Sequence, residues 1–143
     1  MTLSDDSSIE HLALRFIDRS LPRAEWTHEA HWAAALWLAR HRPELTAPDA
    51  MRDLIMGFNE ATGTVNSDSS GYHHTITLAS MRATAHHLHA HPADAPLHDV
   101  LASLMASPHG HPDWLLDCWS RETLFSPEAR RDWVAPDIAP LPF

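Results

Sequence analysis

Apolar residues recur at the three- and four-residue spacing of an amphipathic helix over most of the chain. Proline, glycine and capping residues divide this pattern into separate segments. No alternating run of β-branched residues is long enough to indicate a strand. The pattern therefore predicts helices over residues 7–20, 28–41, 48–63, 72–90, 96–105, 112–120 and 127–134.

The ending "APDIAPLPF" is rich in proline, which cannot donate a backbone hydrogen bond and favours extended chain. We expect Ile138, Leu141 and Phe143 to hold this tail against the surface. The sequence thus predicts one all-α domain spanning residues 1–143. Its architecture would be a compact bundle of about six or seven helices with a Pro-rich extended C-terminal tail.

Composition narrows the classes of function. The chain has 143 residues and a net charge of −9, which argues against nucleic acids and anionic membranes as partners. No segment has the uninterrupted apolar length of a membrane helix, and the acidic start lacks the features of a signal peptide. The single cysteine, Cys118, fits a reducing compartment, so we expect a cytoplasmic protein. The 13 histidines are the unusual feature of the composition.

Two histidines of the second predicted helix, His28 and His31, lie on its apolar face beside Trp32. His28 also lies in the first turn, where the helix dipole favours a neutral imidazole that can ligate a metal or act as a base. The pattern leaves open whether they are core residues bonded to backbone carbonyls or parts of a site.

A polar loop, residues 64–70, leads directly into the fourth predicted helix. We expect Tyr72 and His73 to lie in the first turn of that helix, near its free N–H groups. An uncharged stripe on it predicts the wall of a polar cavity: His73, Thr77, Ser80 and Thr84. Another face is predicted to meet solvent: Thr75, Arg82, His86 and His89.

Three imidazoles, those of His28, His31 and His73, are predicted to converge on one divalent metal ion, zinc or another first-row metal. The spacing alone is not a metal signature, because "HEAH" is one residue short of H-E-x-x-H. Acid–base chemistry would fall to His28, His73 and Tyr72, and substrate binding to Asn59, Asn66, Trp32 and Thr77.

A second histidine cluster, "AHHLHAHP", covers residues 85–92 at the end of a helix. Such positions favour solvated imidazoles, so replacing His87 and His89 should change little. His109 and His111 are interpreted as loop residues.

The stretches "WTHEAH" (26–31), "NEATGTVNSDSSGYHHTIT" (59–77) and "LFSPEARRDWVAPDIAPLP" (124–142) together resemble a family of small bacterial helical proteins. That family is similar in its W-T-H-x-A-H and G-Y-H-x-T motifs, although Glu often stands there in the position of His74. The resemblance implies a set of site positions without implying a reaction: His28, His31, Asn59, Asn66, Tyr72 and His73.

Three functions follow as hypotheses. The first is a small enzyme with a metal-assisted, histidine-rich pocket for a small-molecule substrate. The second is a metal-free small-molecule-binding protein or acid–base enzyme whose Trp residues line an apolar pocket. The third is a non-enzymatic helical protein that binds a partner. A homodimer is left open in each case.

Overall fold

The computed structural model describes residues 2–143, and the regular elements in that range are all helices. Its only bridge between extended residues there joins Ser67 to Ser70, so the predicted absence of a sheet is confirmed for the described residues. Seven α-helices follow one another along the chain: α1 (Asp6–Ile17), α2 (His28–His41), α3 (Pro48–Ala61), α4 (His74–His89), α5 (Leu97–Ala106), α6 (Arg121–Leu124) and α7 (Pro127–Arg131). Short 3₁₀ turns lie at Arg23–Glu25, Pro43–Thr46, Pro108–Gly110 and Trp114–Asp117.

Helix α2 lies at the centre of the bundle. It packs against α1, α4 and α5, and its residues from Trp32 to Leu38 are all buried. Four buried alanines in this helix let its neighbours approach closely. One buried hydrophobic cluster connects α2 with residues of α1, α3, α4, α5 and α6. The first residues of α2, including His28 and His31, are therefore held on a rigid support.

The predicted helix starts agree with the observed caps at α2 and α7. Thr27 accepts a hydrogen bond from the Ala30 N–H, and Ser126 accepts one from the Ala129 N–H. The predicted start of the fourth helix is wrong by two residues. Tyr72 lies outside α4, and His73 is its N-cap.

The predicted helix over residues 112–120 is also wrong. This segment forms the 3₁₀ turn Trp114–Asp117, and α6 begins only after Ser120. One tertiary contact and one local cap separate this turn from α6. The Ile138 N–H donates to the Cys118 carbonyl at 2.9 Å, so the tail occupies an acceptor that a longer helix would use. Ser120 meanwhile caps α6 by accepting from the Thr123 N–H.

The C-terminal tail is fixed along the surface by polar contacts. Asp137 accepts hydrogen bonds from the Ser120 N–H, the Ser120 hydroxyl and the Thr123 hydroxyl, at 2.7–2.9 Å. Leu141 and Phe143 pack against the core as expected. The expectation for Ile138 is wrong, because 61% of its surface is exposed.

Thr75 was expected on the solvent face of the fourth helix and is instead fully buried. Its hydroxyl donates to the Asp132 carbonyl at 2.8 Å and accepts from the Val134 N–H at 3.1 Å. The chain after α7 therefore covers this face of α4. Periodicity within one helix cannot reveal such a cover, because it comes from a distant segment.

None of the helices described in residues 2–143 combines the length and the apolar character needed to cross a membrane.

Candidate functional site

A cavity of about 460 Å³ lies between α2, α4 and the segment 112–125. Of the predicted site residues, four line it: His28, His31, Trp32 and Thr77. Ser80, predicted as part of a cavity wall, lines it as well. The rest of the lining is mostly aliphatic and aromatic, with Asp113 as its one carboxylate. This size and lining are typical of a site for a largely apolar small molecule.

His31 is held as a neutral imidazole with one nitrogen free. Its Nδ1 lies 2.6 Å from the Thr27 carbonyl, which can only accept, so Nδ1 carries the proton and Nε2 is an acceptor. Desolvation is the main cause that lowers the pKa of His31, and nearby His28 lowers it further. The side chain nevertheless has a large exposed surface. The lowered pKa and the exposed surface are compatible if the exposed part of His31 faces the cavity and protein atoms surround the rest of the ring.

Trp32 determines the proton position on His28. The indole Nε1–H of Trp32 donates to Nε2 of His28 at 3.2 Å, so a neutral His28 carries its proton on Nδ1. Within residues 2–143, Nδ1 of His28 has no hydrogen-bond partner. It is not fully buried either, because the only fully buried side-chain nitrogen or oxygen without a partner in that range is Nε of Arg130. Nδ1 of the half-buried His28 is therefore accessible, and the two lining residues carry a free donor, on His28, and a free acceptor, on His31.

An aromatic stack orients the ring of His31. The ring centroid of Trp26 lies 4.1 Å from that of His31 and 4.5 Å from that of Phe16, with which it is nearly parallel. Phe58 packs on Trp26 from another side at 5.2 Å. Stacked aromatic rings have few alternative rotamers in a packed core, so the free nitrogen of His31 has a defined direction.

His73 belongs to the framework that supports the cavity and is not in its lining. Its Nδ1 accepts from the Ile76 N–H at 3.1 Å and so caps α4. Its Nε2 then carries the proton and donates to the Leu124 carbonyl at 2.6 Å. Both ring nitrogens are occupied. The structure therefore joins α4 to α6 through His73 and does not bring this residue to His28 and His31.

His28, His31 and His73 are not arranged as three ligands of one ion in the part of the chain that the structure describes. Residues 2–143 contain no group of three or more His, Cys, Asp or Glu side chains placed to hold one. Metal binding by Nδ1 of His28 would require its proton on Nε2, against the Trp32 donor. In this arrangement only Nε2 of His31 is free to ligate. The predicted zinc or first-row metal ion remains a prediction for metal analysis to test.

Tyr72 and His74 form a separate buried pair. The Tyr72 hydroxyl and Nδ1 of His74 are 2.7 Å apart, and the Arg52 guanidinium lies 5.3 Å from the centroid of the Tyr72 ring. Burial, and then Arg52, lower the pKa of His74. Burial raises the pKa of Tyr72. Neither residue lines the cavity, so the structure does not bring Tyr72 into contact with His28.

Asn59 and Asn66 fold the polar loop onto itself. The Asn59 amide donates to Oδ1 of Asn66 at 2.9 Å, and the same oxygen accepts from the Tyr72 N–H at 3.0 Å. Gly71 adopts a φ of 77°, and a Cβ there would lie 2.5 Å from Oδ1 of Asn66. The residue types of this loop are thus explained by its own hydrogen bonds, and Asn59 and Asn66 are not in the cavity lining.

The second histidine cluster is buried in part, contrary to expectation. His87 is buried, and its Nε2 is hydrogen-bonded to Nδ1 of His109 at 2.9 Å. Desolvation, followed by the neighbouring histidines, lowers the pKa of His87 to about 4. His109 in turn packs edge-on against Trp114, a cavity residue, at 4.7 Å between ring centroids. The His87–His109 pair therefore supports one wall of the cavity.

We expect His87→Ala to lower the free energy of unfolding by about 1–3 kcal/mol at pH 7, because it removes a buried hydrogen bond and leaves His109 without its partner. His89→Ala, at an exposed position of the same helix, is the control and should change it by less than about 0.5 kcal/mol. Chemical denaturation followed by circular dichroism measures both.

The stability difference between His87→Ala and His89→Ala should depend on pH. Since the pKa of His87 is lowered in the folded state, its stabilisation is complete above pH 6.5 and decreases as the pH falls towards about 4. The stability difference between the two variants should therefore narrow over that range. Equal stabilities at pH 7 would contradict the buried pair.

A second cavity, about 670 Å³ in volume, lies between the N-terminal segment, α2 and α5. It is larger, but most of its charged side chains already have partners: Glu25 pairs with Arg15, and His98 pairs with Asp6 and Asp99, while Glu29 has no ion pair among residues 2–143. None of the predicted site residues lines it. The first cavity is the better candidate because it gathers the free imidazole nitrogens.

Several cavity residues were not identified from the sequence. Four lining residues were not among the named site residues: Trp26, Asp113, Trp114 and Phe125. The available signal was the "W-T-H" order, in which Trp26 stands two positions before His28. Trp114 and Phe125 reach the cavity through irregular chain, for which periodicity gives no direction.

Comparison with models of protein families, with curated proteins and with solved structures finds no match for this chain.

Proposed function

We propose that the protein binds a largely apolar small molecule in the cavity between α2 and α4, with the molecule's polar end at His28 and His31. The observation that carries this proposal is the position of two free imidazole nitrogens in an otherwise mostly apolar cavity of about 460 Å³. This corresponds to the metal-free hypothesis, and the protein would be cytoplasmic, as its single cysteine favours.

Catalysis by His31 is a second candidate function, favoured by one specific observation. The Thr27 carbonyl binds Nδ1–H of His31 and leaves Nε2 unprotonated, the arrangement of an oriented general base. Its lowered pKa keeps this nitrogen unprotonated at neutral pH. A bound molecule with an acidic proton near Nε2 would then be deprotonated there.

Binding of a neutral fluorescent naphthylamine tests the proposed function. Transfer of such a probe from water into an apolar cavity raises its emission and shifts it to shorter wavelength. We expect saturable binding with one site per chain, and energy transfer from tryptophan because Trp26, Trp32 and Trp114 line the cavity. Emission that rises without saturation would contradict a defined site. Metal analysis of the same untagged sample tests the metal-assisted alternative.

A further inference from the structure

The two histidines in the cavity lining offer unlike groups. His31 presents an acceptor, because the Thr27 carbonyl fixes its proton on Nδ1. His28 presents a donor, because the Trp32 indole fixes its proton on Nδ1 as well. The two residues are three positions apart on α2, where side chains are neighbours. A ligand group that both donates and accepts is complementary to this pair.

We propose, building on the proposed function, that the cavity selects ligands that carry an alcohol or phenol hydroxyl on an apolar body. The hydroxyl would donate to Nε2 of His31, and its oxygen would accept from Nδ1–H of His28. A hydroxyl fulfils both roles in one atom pair, whereas a ketone or ether leaves the His31 acceptor without a donor.

Charged head groups fit this pair less well. A carboxylate would meet the lone pair of His31, and protonation of His31 to relieve that repulsion is opposed by its surroundings. Asp113 in the lining also disfavours an anion. An ammonium group would meet the N–H of His28 and would lose its hydration in a mostly apolar cavity.

The aromatic stack supports the selection by fixing one of the two partners. Trp26 holds the His31 ring on one side and is itself held by Phe16 and Phe58. Rigid polar groups discriminate better than mobile ones, because a mismatched ligand leaves them unpaired.

A matched ligand series tests the proposal: 2-naphthalenemethanol, 2-methylnaphthalene, 2-naphthoate and 2-naphthylmethylammonium, each used to displace the naphthylamine probe at pH 7.5. We expect the alcohol to bind about tenfold more tightly than the methyl compound and more tightly than either ion. Equal binding of the alcohol and methyl compounds would overturn the selection but leave the cavity as the site. Tightest binding by an ion would overturn it too, as would failure of every compound to displace the bound probe. The proposed function itself fails only if the probe shows no saturable binding.

His31→Phe gives the matched variant, because it retains an aromatic ring against Trp26 and removes the acceptor. The preference for the alcohol over the methyl compound should disappear, with the methyl compound bound as before. His41→Phe, at the exposed far end of α2, should leave the preference unchanged. Persistence of the preference in His31→Phe would overturn the assignment.

Nitrogen-15 NMR of the ligand-free protein gives a readout that does not depend on variants. Both His28 and His31 should show the tautomer protonated at Nδ1 at pH 7.5. In Trp32→Phe, His28 alone should lose this fixed tautomer. A proton on Nε2 of either ring in the unchanged protein would overturn the donor–acceptor pair.

Discussion

Replacing His73 with alanine is expected to lower the free energy of unfolding by about 2–4 kcal/mol. The change removes the N-cap of α4, a loss of about 1 kcal/mol. It also leaves the Leu124 carbonyl unpaired in a buried position, which costs about 1–3 kcal/mol. The two losses act at different helices, so we expect them to add approximately. Urea denaturation followed by circular dichroism measures the sum.

His73→Asn separates the two contributions. Asparagine is a good N-cap residue, so its side chain can accept from the Ile76 N–H while it cannot reach the Leu124 carbonyl. We expect it to recover about 1 kcal/mol of the loss. If His73→Ala instead kept full stability and lost a bound metal ion, the three-histidine metal site would be correct and the framework role would not.

Lowering the pH should also remove the stabilising contribution of His73. Burial is the main cause that lowers the pKa of His73, so its contribution is complete above pH 6.5 and decreases as the pH falls. Protonation of Nδ1 would remove the acceptor that caps α4. The destabilisation caused by His73→Ala should therefore be largest at neutral pH and smaller in acid.

The helical character of the chain followed from its sequence because it depends on local spacing. The stripes of α1, α2 and α3, the cap at Thr27 and the proline at Pro127 are all decided within one or two turns. The segment 112–120 could not be predicted in this way. Its helix is interrupted by the tail at Ile138, a contact between residues about twenty positions apart.

Half of the candidate site followed from the sequence for the same reason. His28, His31 and Trp32 share one face of one helix, and Thr77 and Ser80 share one face of another. The direction of His73 was not predictable, because it depends on the exact start of α4, which lies two residues later than predicted. As the N-cap it turns its ring to the helix terminus and Leu124, whereas in the first turn it would have followed the stripe.

Residue type also gave wrong site predictions where a structural role needs the same polar groups as a binding site. Asn66 and Gly71 fulfil turn requirements, and Tyr72 and His74 fulfil each other's hydrogen bonds. Dense polar residues ahead of two histidines are consistent with a site and with a self-bonded loop alike. Only the partners of each atom distinguish the two, and those are set by the tertiary fold.

Ser80→Trp is expected to weaken binding of the neutral naphthylamine probe by at least about tenfold, with stability changed by no more than about 1 kcal/mol. Ser80 lines the cavity from α4. Within residues 2–143 its hydroxyl has no hydrogen-bond partner, and only its backbone carbonyl accepts a hydrogen bond from a side chain, that of Thr84. The indole would occupy space that the probe needs. Because the space is already present, the new side chain need not displace the core, which is the usual cost of a larger residue.

Ala85→Trp is the matched control, since it adds the same side chain to an exposed position of the same helix. It should bind the probe as the unchanged protein does. Isothermal calorimetry or fluorescence titration of the three proteins at equal concentration gives the comparison. Unchanged binding by Ser80→Trp, in a protein shown to be folded, would place the ligand outside the cavity between α2 and α4. Ser80 lies on α4, whereas His28 and His31 lie on α2. A loss of binding in Ser80→Trp would therefore support the cavity as the site in a protein whose two histidines are unchanged.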